Sequence, residues 1–210
     1  MCYNVPMMDQ IAGWLGTGSI NIFGLPLCGK DTIGLRLAAD LGGRYVSSGE
    51  ILRAAQSSGT TVSDMSDGKW VPHQQFFDIV LPYFERLDLN GITLLLGGVG
   101  RWSGEERQTI EALDKARHPV RACLVLDVDI DEIRARWEAS RAAEDRGMRD
   151  DDSNFTKVQS RIDEFYDKTK PVLNYYESLG LLVHVNAVGD RDKVYQGVLS
   201  ALSNLATPVY

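Results

Sequence analysis

The stretch Ser19-Ile-Asn-Ile-Phe-Gly24-Leu-Pro-Leu-Cys28-Gly29-Lys30-Asp31-Thr32 joins a short apolar run to a helical pattern through a turn rich in glycine. Ser19 to Phe23 reads as a buried strand, and Asp31 to Leu41 carries apolar residues at helical spacing. Between them, Gly24 and Gly29-Lys30 hold the GxxxxGK spacing in the strand, loop, helix context that this spacing requires. Gly24 and Gly29 permit backbone conformations and close approaches that a Cβ would block, so successive N–H groups can turn inward toward phosphate oxygens. The helix N-terminus adds positive potential, and Lys30 adds a compact cation. Together they form an anion cradle. The strict pattern has Ser or Thr directly after the lysine; here Asp31 intervenes before Thr32. Cys28 reads as a tolerated small residue of the loop rather than as a reactive thiol.

Outward from this loop, apolar β-rich runs recur at Arg44–Val46, Ile92–Leu96, Val120–Leu126 and Leu182–Val185. Helical patterns separate them at Gly49–Gln56, Gln74–Leu87, Gly104–Lys115, Ile130–Arg141, Phe155–Leu179 and Asp192–Leu205. Strands alternating with helices predict an α/β fold, a five-stranded parallel sheet with helices on both faces. Residues 1–18 form an N-terminal appendage in which Ile11, Trp14 and Leu15 can make one apolar helix face packed on the core.

At 210 residues and 44% hydrophobic content the chain suits one well-buried core, expected to span 19–210, and not two full domains. A net charge of -7 argues against wrapping nucleic acid, which needs a basic stripe. Any phosphate recognition is therefore local. Cys2, Cys28 and Cys123 lack metal or redox spacing and suit reduced thiols. No apolar run is long enough to span a bilayer, and no signal-peptide order opens the chain, so a cytoplasmic protein without membrane contact is expected. The alternating charges of Glu144–Asp152 read as a solvated loop.

The loop resembles that of adenylate kinases and their nucleoside monophosphate kinase relatives, which read GxPGxGKGT and so place the threonine second after the lysine, as Thr32 stands here. The likeness runs from Ser19 to Leu205 through several motifs in the family's order. Ser47-Ser48-Gly49-Glu50-Ile51-Leu52-Arg53 is similar to STGDLLR, which implies that Ser48 and Arg53 hold the acceptor nucleotide. Gly68-Lys69-Trp70-Val71-Pro72 is similar to GxLVP, which implies that Val71 lines the acceptor base. Gly98-Val99-Gly100-Arg101 sits where the family has GFPR, making Arg101 the clamp on the acceptor phosphate. Arg136 matches the arginine that stacks on the donor adenine. Arg149-Asp-Asp-Asp152, Arg161, Thr169-Lys-Pro171 and Tyr175-Tyr176 are similar to the R-x-DD, R and T-x-P-x-x-x-YY series, which implies that Arg149 and Arg161 close over the transferring phosphates.

The resemblance thus implies the P-loop nucleotide kinase fold, with an acceptor-binding insertion at about 47–76 and a short lid at about 141–150 that has no cysteines and so no zinc. It implies a monomer moving the terminal phosphoryl group of ATP to AMP with Mg2+, on small nucleotides alone. Lys30, Arg101, Arg149 and Arg161 would be catalytic. The loop from Gly24 through Cys28, Gly29, Lys30 and Asp31 to Thr32 would hold ATP. The sequence departs from the pattern at four places. Leu27 replaces a loop glycine, Asp31 adds an anion, Gly97 stands where the family carries an aspartate that orients magnesium, and Glu105 replaces a glutamine that reads the acceptor adenine. A UMP/CMP-type kinase and a nucleotide-binding module of reduced or lost activity stay open at this point. Glu105 is either a base-reading residue or a solvated first-turn residue. Glu50 is more simply a helix N-terminal carboxylate than a metal contact, no metal ligand is assigned, and His73, His118 and His184 receive no role.

Overall fold

The computed structural model describes residues 5–63, 70–142 and 154–207. The strands are β1 Ser19–Gly24, β2 Arg44–Ser47, β3 Leu94–Gly97, β4 Val120–Asp127 and β5 Leu182–Asn186, and they form one sheet in the order β2-β3-β1-β4-β5. Every pairing is parallel, with Ile20 beside Leu95 of β3 and Ile22 beside Leu124 of β4. Side chains alternate along each strand, so β1 sends Ile20 and Ile22 to one face and Phe23 to the other. On β4, Ala122, Leu124 and Leu126 share the first face while Cys123 and Val125 share the second. Both faces are therefore buried, and the strands read as continuous apolar runs for that reason.

One face is covered by α1 Val5–Leu15, α2 Lys30–Leu41 and α9 Arg191–Ala206. Ile11 and Leu15 of α1 are fully buried, so this helix is part of the core. It lies against α9, where Gln10 donates to Thr207 at 3.0 Å. The other face is covered by α3 Ser48–Ser57, α4 His73–Ile79, α5 Glu106–Lys115 and α8 Lys170–Ser178. Beyond β4, α6 Ile130–Ala142 and α7 Phe155–Glu164 pack with Leu25 of the phosphate loop through Ile133, Val158 and Ile162. No helix among the described residues is long and apolar enough to cross a membrane.

Two helical expectations need correction, both at proline. The pattern over Gln74–Leu87 is broken after Ile79 into two tight 3-10 turns, Leu81–Glu85 and Leu87–Leu89. Pro82 has no N–H to donate and cannot continue the helix. The pattern over Phe155–Leu179 is interrupted by a π-helical segment, Phe165–Thr169, just before Pro171 in the first turn of α8. The widened turn absorbs the missing donor.

Asn21 is the polar exception in the central strand, fully buried on β1. Its amide donates to Val99 O at 2.7 Å and to the Tyr176 hydroxyl at 3.2 Å, while Val99 N donates to its Oδ1 at 3.1 Å. The loop after β3 is thereby fastened to the strand before the phosphate loop. Asn21→Ala should leave a buried N–H and a buried C=O unpaired and lower stability by about 2–4 kcal/mol. Urea unfolding of the variant against the parent measures this.

Candidate active site

In a parallel sheet, ligands bind beyond the carboxyl ends of the strands, where neighbouring connections diverge. Here β1 ends in the phosphate loop, β2 in the start of α3, and β3 in the loop Gly98–Arg101, and one cavity lies between these three ends.

The phosphate loop closes tightly. A Cβ on Gly24 would stand 2.6 Å from Cys28 Sγ and 2.9 Å from Leu126 O, so only glycine fits. Gly29 caps α2 at φ 95 without any side-chain cap, which leaves the first-turn amides of α2 for an anion. Leu27 stands in the left-handed region at φ 62, a conformation that suits glycine better than leucine. Lys30 and Asp31 line the cavity, and among the described residues the Lys30 ammonium has no hydrogen-bond or ion-pair partner. Cys28 is buried in the core behind the loop, where burial pushes its thiol up. Thr32 lies in the first turn of α2, outside the cavity wall.

Across the cavity, Ser47 caps α3 in a reciprocal box with Glu50, whose carboxylate accepts from Ser47 N at 3.0 Å. That settles Glu50 as a capping group. Ser48 then faces the cavity with its Oγ buried and unpartnered. Arg53 lies back over Gly49, where a Cβ would meet its guanidinium at 3.0 Å. It too has no ion-pair partner among the described residues. Val71 is buried in the wall, and Arg101 stacks on the Trp70 ring at 4.2 Å. Arg161 enters from α7. Arg149 and most of the expected lid lie outside the described residues.

Arg136 is placed elsewhere, against the outer side of the phosphate loop. Its guanidinium donates to Cys28 O at 3.0 Å, Leu27 O at 3.3 Å and Ala187 O at 2.6 Å, and pairs with Glu132 at 2.8 Å. It braces the loop from behind.

Glu105 is 4% exposed, which removes the reading of it as a solvated first-turn residue. Its carboxyl lines the cavity, accepts from Trp102 N at 3.2 Å, and meets His73 Nδ1 at 3.2 Å. Burial raises its pKa to about 7, against the lowering effects of the Trp102 N–H and of Arg101.

Trp70 and Glu164 of this wall, and the side chains packed against them, lay outside the expected site residues. Trp70, Trp102 and His73 form an aromatic cluster, with His73 and Trp102 centroids 4.2 Å apart. Lys168 sits 4.9 Å from the Trp70 ring, and Glu164 accepts from Trp70 Nε1 at 2.7 Å. Their only sequence signal is adjacency, since Trp102 follows Arg101 and Lys168 precedes Thr169. His118 donates from Nδ1 to Thr17 O, and His184 pairs with Asp127, both away from the cavity.

A family model described as Adenylate kinase matches residues 22–181, more than half of the sequence. The chain belongs to the adenylate kinase family. It is an ATP-dependent nucleoside monophosphate kinase. Similar proteins include an adenylate kinase of Thermus thermophilus, 30% identical over 90% of this chain and 99% of the relative. One from Parasynechococcus marenigrum is 30% identical over 86% and 96%, and one from Bacteroides thetaiotaomicron is 25% identical over 89% and 99%. Against the adenylate kinase pattern, the cavity gathers Lys30, Ser48, Arg53, Val71, Arg101, Glu105 and Arg161 and excludes Arg136.

Folded Glu105 keeps its proton up to about pH 7, whereas the unfolded chain releases it near the ordinary value of 4.5. The folded state binds more protons across that window. The stability from this group is therefore full below about pH 4.5 and is lost as pH rises through about 7, a change on the order of 3 kcal/mol. Glu105→Gln should remove the loss, so the variant gains on the parent between pH 5 and pH 8 in urea unfolding.

Proposed function

We propose that this kinase transfers the terminal phosphoryl group of ATP to AMP, with both nucleotides held in the cavity between β1, β2 and β3. The observation that carries this reading is the convergence of two cations with no ion-pair partner among the described residues, Lys30 and Arg53, with Arg101 and the unpartnered Ser48 Oγ in one cavity. Separate anion sites on facing walls suit two phosphate chains brought end to end.

In this reading the loop amides and Lys30 hold the donor phosphates, and Arg53 and Arg101 hold the AMP phosphate. An AMP phosphate oxygen attacks the terminal phosphorus in line, and ADP leaves. Arg161, joined by Arg149 from the lid at about 141–150, neutralises the transferring charge. The guanidinium of Arg136 uses its in-plane N–H groups on the loop carbonyls, and stacking on the donor adenine uses its face. Val71 and Trp70 of the 47–76 segment flank the acceptor base. The enzyme acts as a cytoplasmic monomer on free nucleotides.

Mg2+ would accompany the phosphates. Among the described residues no three His, Cys, Asp or Glu side chains converge on one point, so these residues offer no cage for a bare ion. One carboxylate, Asp31, stands beside Lys30 at the cradle. This donor set fits an ion carried mainly by nucleotide phosphates and water, which offsets negative charge during transfer.

Lys30→Met should lower turnover by several orders of magnitude with stability little changed, because the cation facing the phosphates leaves and no core contact is lost. A coupled assay of ADP formation from ATP with AMP, UMP or CMP measures it, and near-native turnover of the variant would show that the loop assignment is wrong.

Neutral Glu105 offers one donor and one acceptor, the pair that adenine N1 and its amine require; the ionised form offers acceptors only. The KM for AMP should therefore rise above pH 7 in the parent, by about 5-fold or more for one unpaired base nitrogen, and stay level in Glu105→Gln. Initial rates from pH 6 to pH 9 test this.

A further inference from the structure

Arg101 lies with its guanidinium carbon 4.2 Å from the centroid of the Trp70 ring, so the cation assigned to the acceptor phosphate rests on an indole. Tryptophan is the strongest aromatic partner for a cation. An aromatic ring meets the flat face of a guanidinium, whereas a phosphate is met by the N–H groups in its plane. A ring beneath the face therefore sets the direction in which the edge is presented.

Trp70 is itself held by its neighbours. Its Nε1–H donates to Glu164 at the end of α7 at 2.7 Å, and Glu164 pairs with Lys168 at 3.3 Å. The Trp102 ring meets it edge on, with centroids 5.7 Å apart and planes at 88°. The Lys168 ammonium lies 4.9 Å from the Trp70 ring and 5.1 Å from that of Trp102. Ser103 N donates to Lys168 O at 3.0 Å, which ties the loop carrying Arg101 to the same π-helical segment. An indole held by a hydrogen bond and by ring contacts is ordered before any ligand arrives, so less ordering of Arg101 remains for the binding step.

We propose that Trp70 is the positioning residue for Arg101: its ring orients the guanidinium toward the acceptor phosphate, and Glu164 holds the ring. The proposal rests on the reading of Arg101 as the clamp on the AMP phosphate.

The test compares AMP with adenosine, which has the same base and sugar without the phosphate. Calorimetry on the full chain gives the ratio of the two affinities, which reports the phosphate contact and cancels any contact of Trp70 with the base. Trp70→Leu keeps an apolar side chain without a π face and should lower this ratio about tenfold, the loss expected for a desolvated cation–π contact. Trp70→Phe keeps a ring but not the N–H and should lower it about threefold, phenylalanine being the weaker partner. In an Arg101→Ala background neither substitution should lower the ratio further, since both act through the same guanidinium. A ratio unchanged by Trp70→Leu, or by Trp70→Phe where the leucine variant does not fold, overturns this proposal and leaves the Arg101 clamp standing. So does a ratio lowered equally with and without Arg101. If Arg101→Ala itself leaves the ratio unchanged, the clamp reading falls and takes the proposal with it.

Discussion

The side-chain amide of Asn21 bonds both backbone groups of Val99 from the middle of the central strand. A buried amide in an apolar sheet is unfavourable unless its bonding capacity is met, and one loop geometry meets it. That geometry sets where Arg101 leaves the backbone and how the next turn presents Glu105. Gly100 then approaches α5 so closely that a Cβ would overlap the Thr109 side chain, and Thr109 donates to Glu105 O at 2.8 Å. The acceptor wall is thus indexed to the same strand that opens into the phosphate loop. Displacement of one wall by an ångström would misplace the two phosphate chains relative to each other, and in-line transfer is sensitive to that.

The phosphate loop keeps its shape under local strain. Leu27 occupies backbone space better suited to glycine, and residues held this way persist when their surroundings over-determine them. The surroundings here are Arg136, which takes the carbonyls of Leu27 and Cys28, and the Cys28 thiol, packed against Gly24. An arginine matched to nucleotide binding therefore also has a structural duty that is present without the nucleotide.

The order of strands and helices was legible because both periodicities are strong and the loop motif stands in its required context. The helix breaks at Pro82 and Pro171 follow from a missing donor, yet apolar spacing on either side masked them. The burial of Glu105 was not legible: it depends on a rotation fixed by the Trp102 N–H and by the contact of Gly100 with Thr109, which no local pattern encodes. The contact of Arg101 with Trp70 was hidden for a related reason. It joins two segments that no local pattern relates. The cationic residues of the wall were readable one by one, but their convergence, and the exclusion of Arg136 from it, are properties of the fold.

The packing of α1 on α9 joins residues 197 positions apart, Gln10 and Thr207. The apolar face carrying Ile11 and Leu15 is made long before Val198, Leu199 and Leu202, which share its core cluster. β1 is in the same situation, since it leaves the ribosome long before either of its sheet neighbours, β3 and β4. Such long-range pairing delays folding and exposes apolar surface in the meantime. The nascent chain therefore carries an unpaired β1 until β3 and β4 follow it, and an uncovered α1 face until α9 is made.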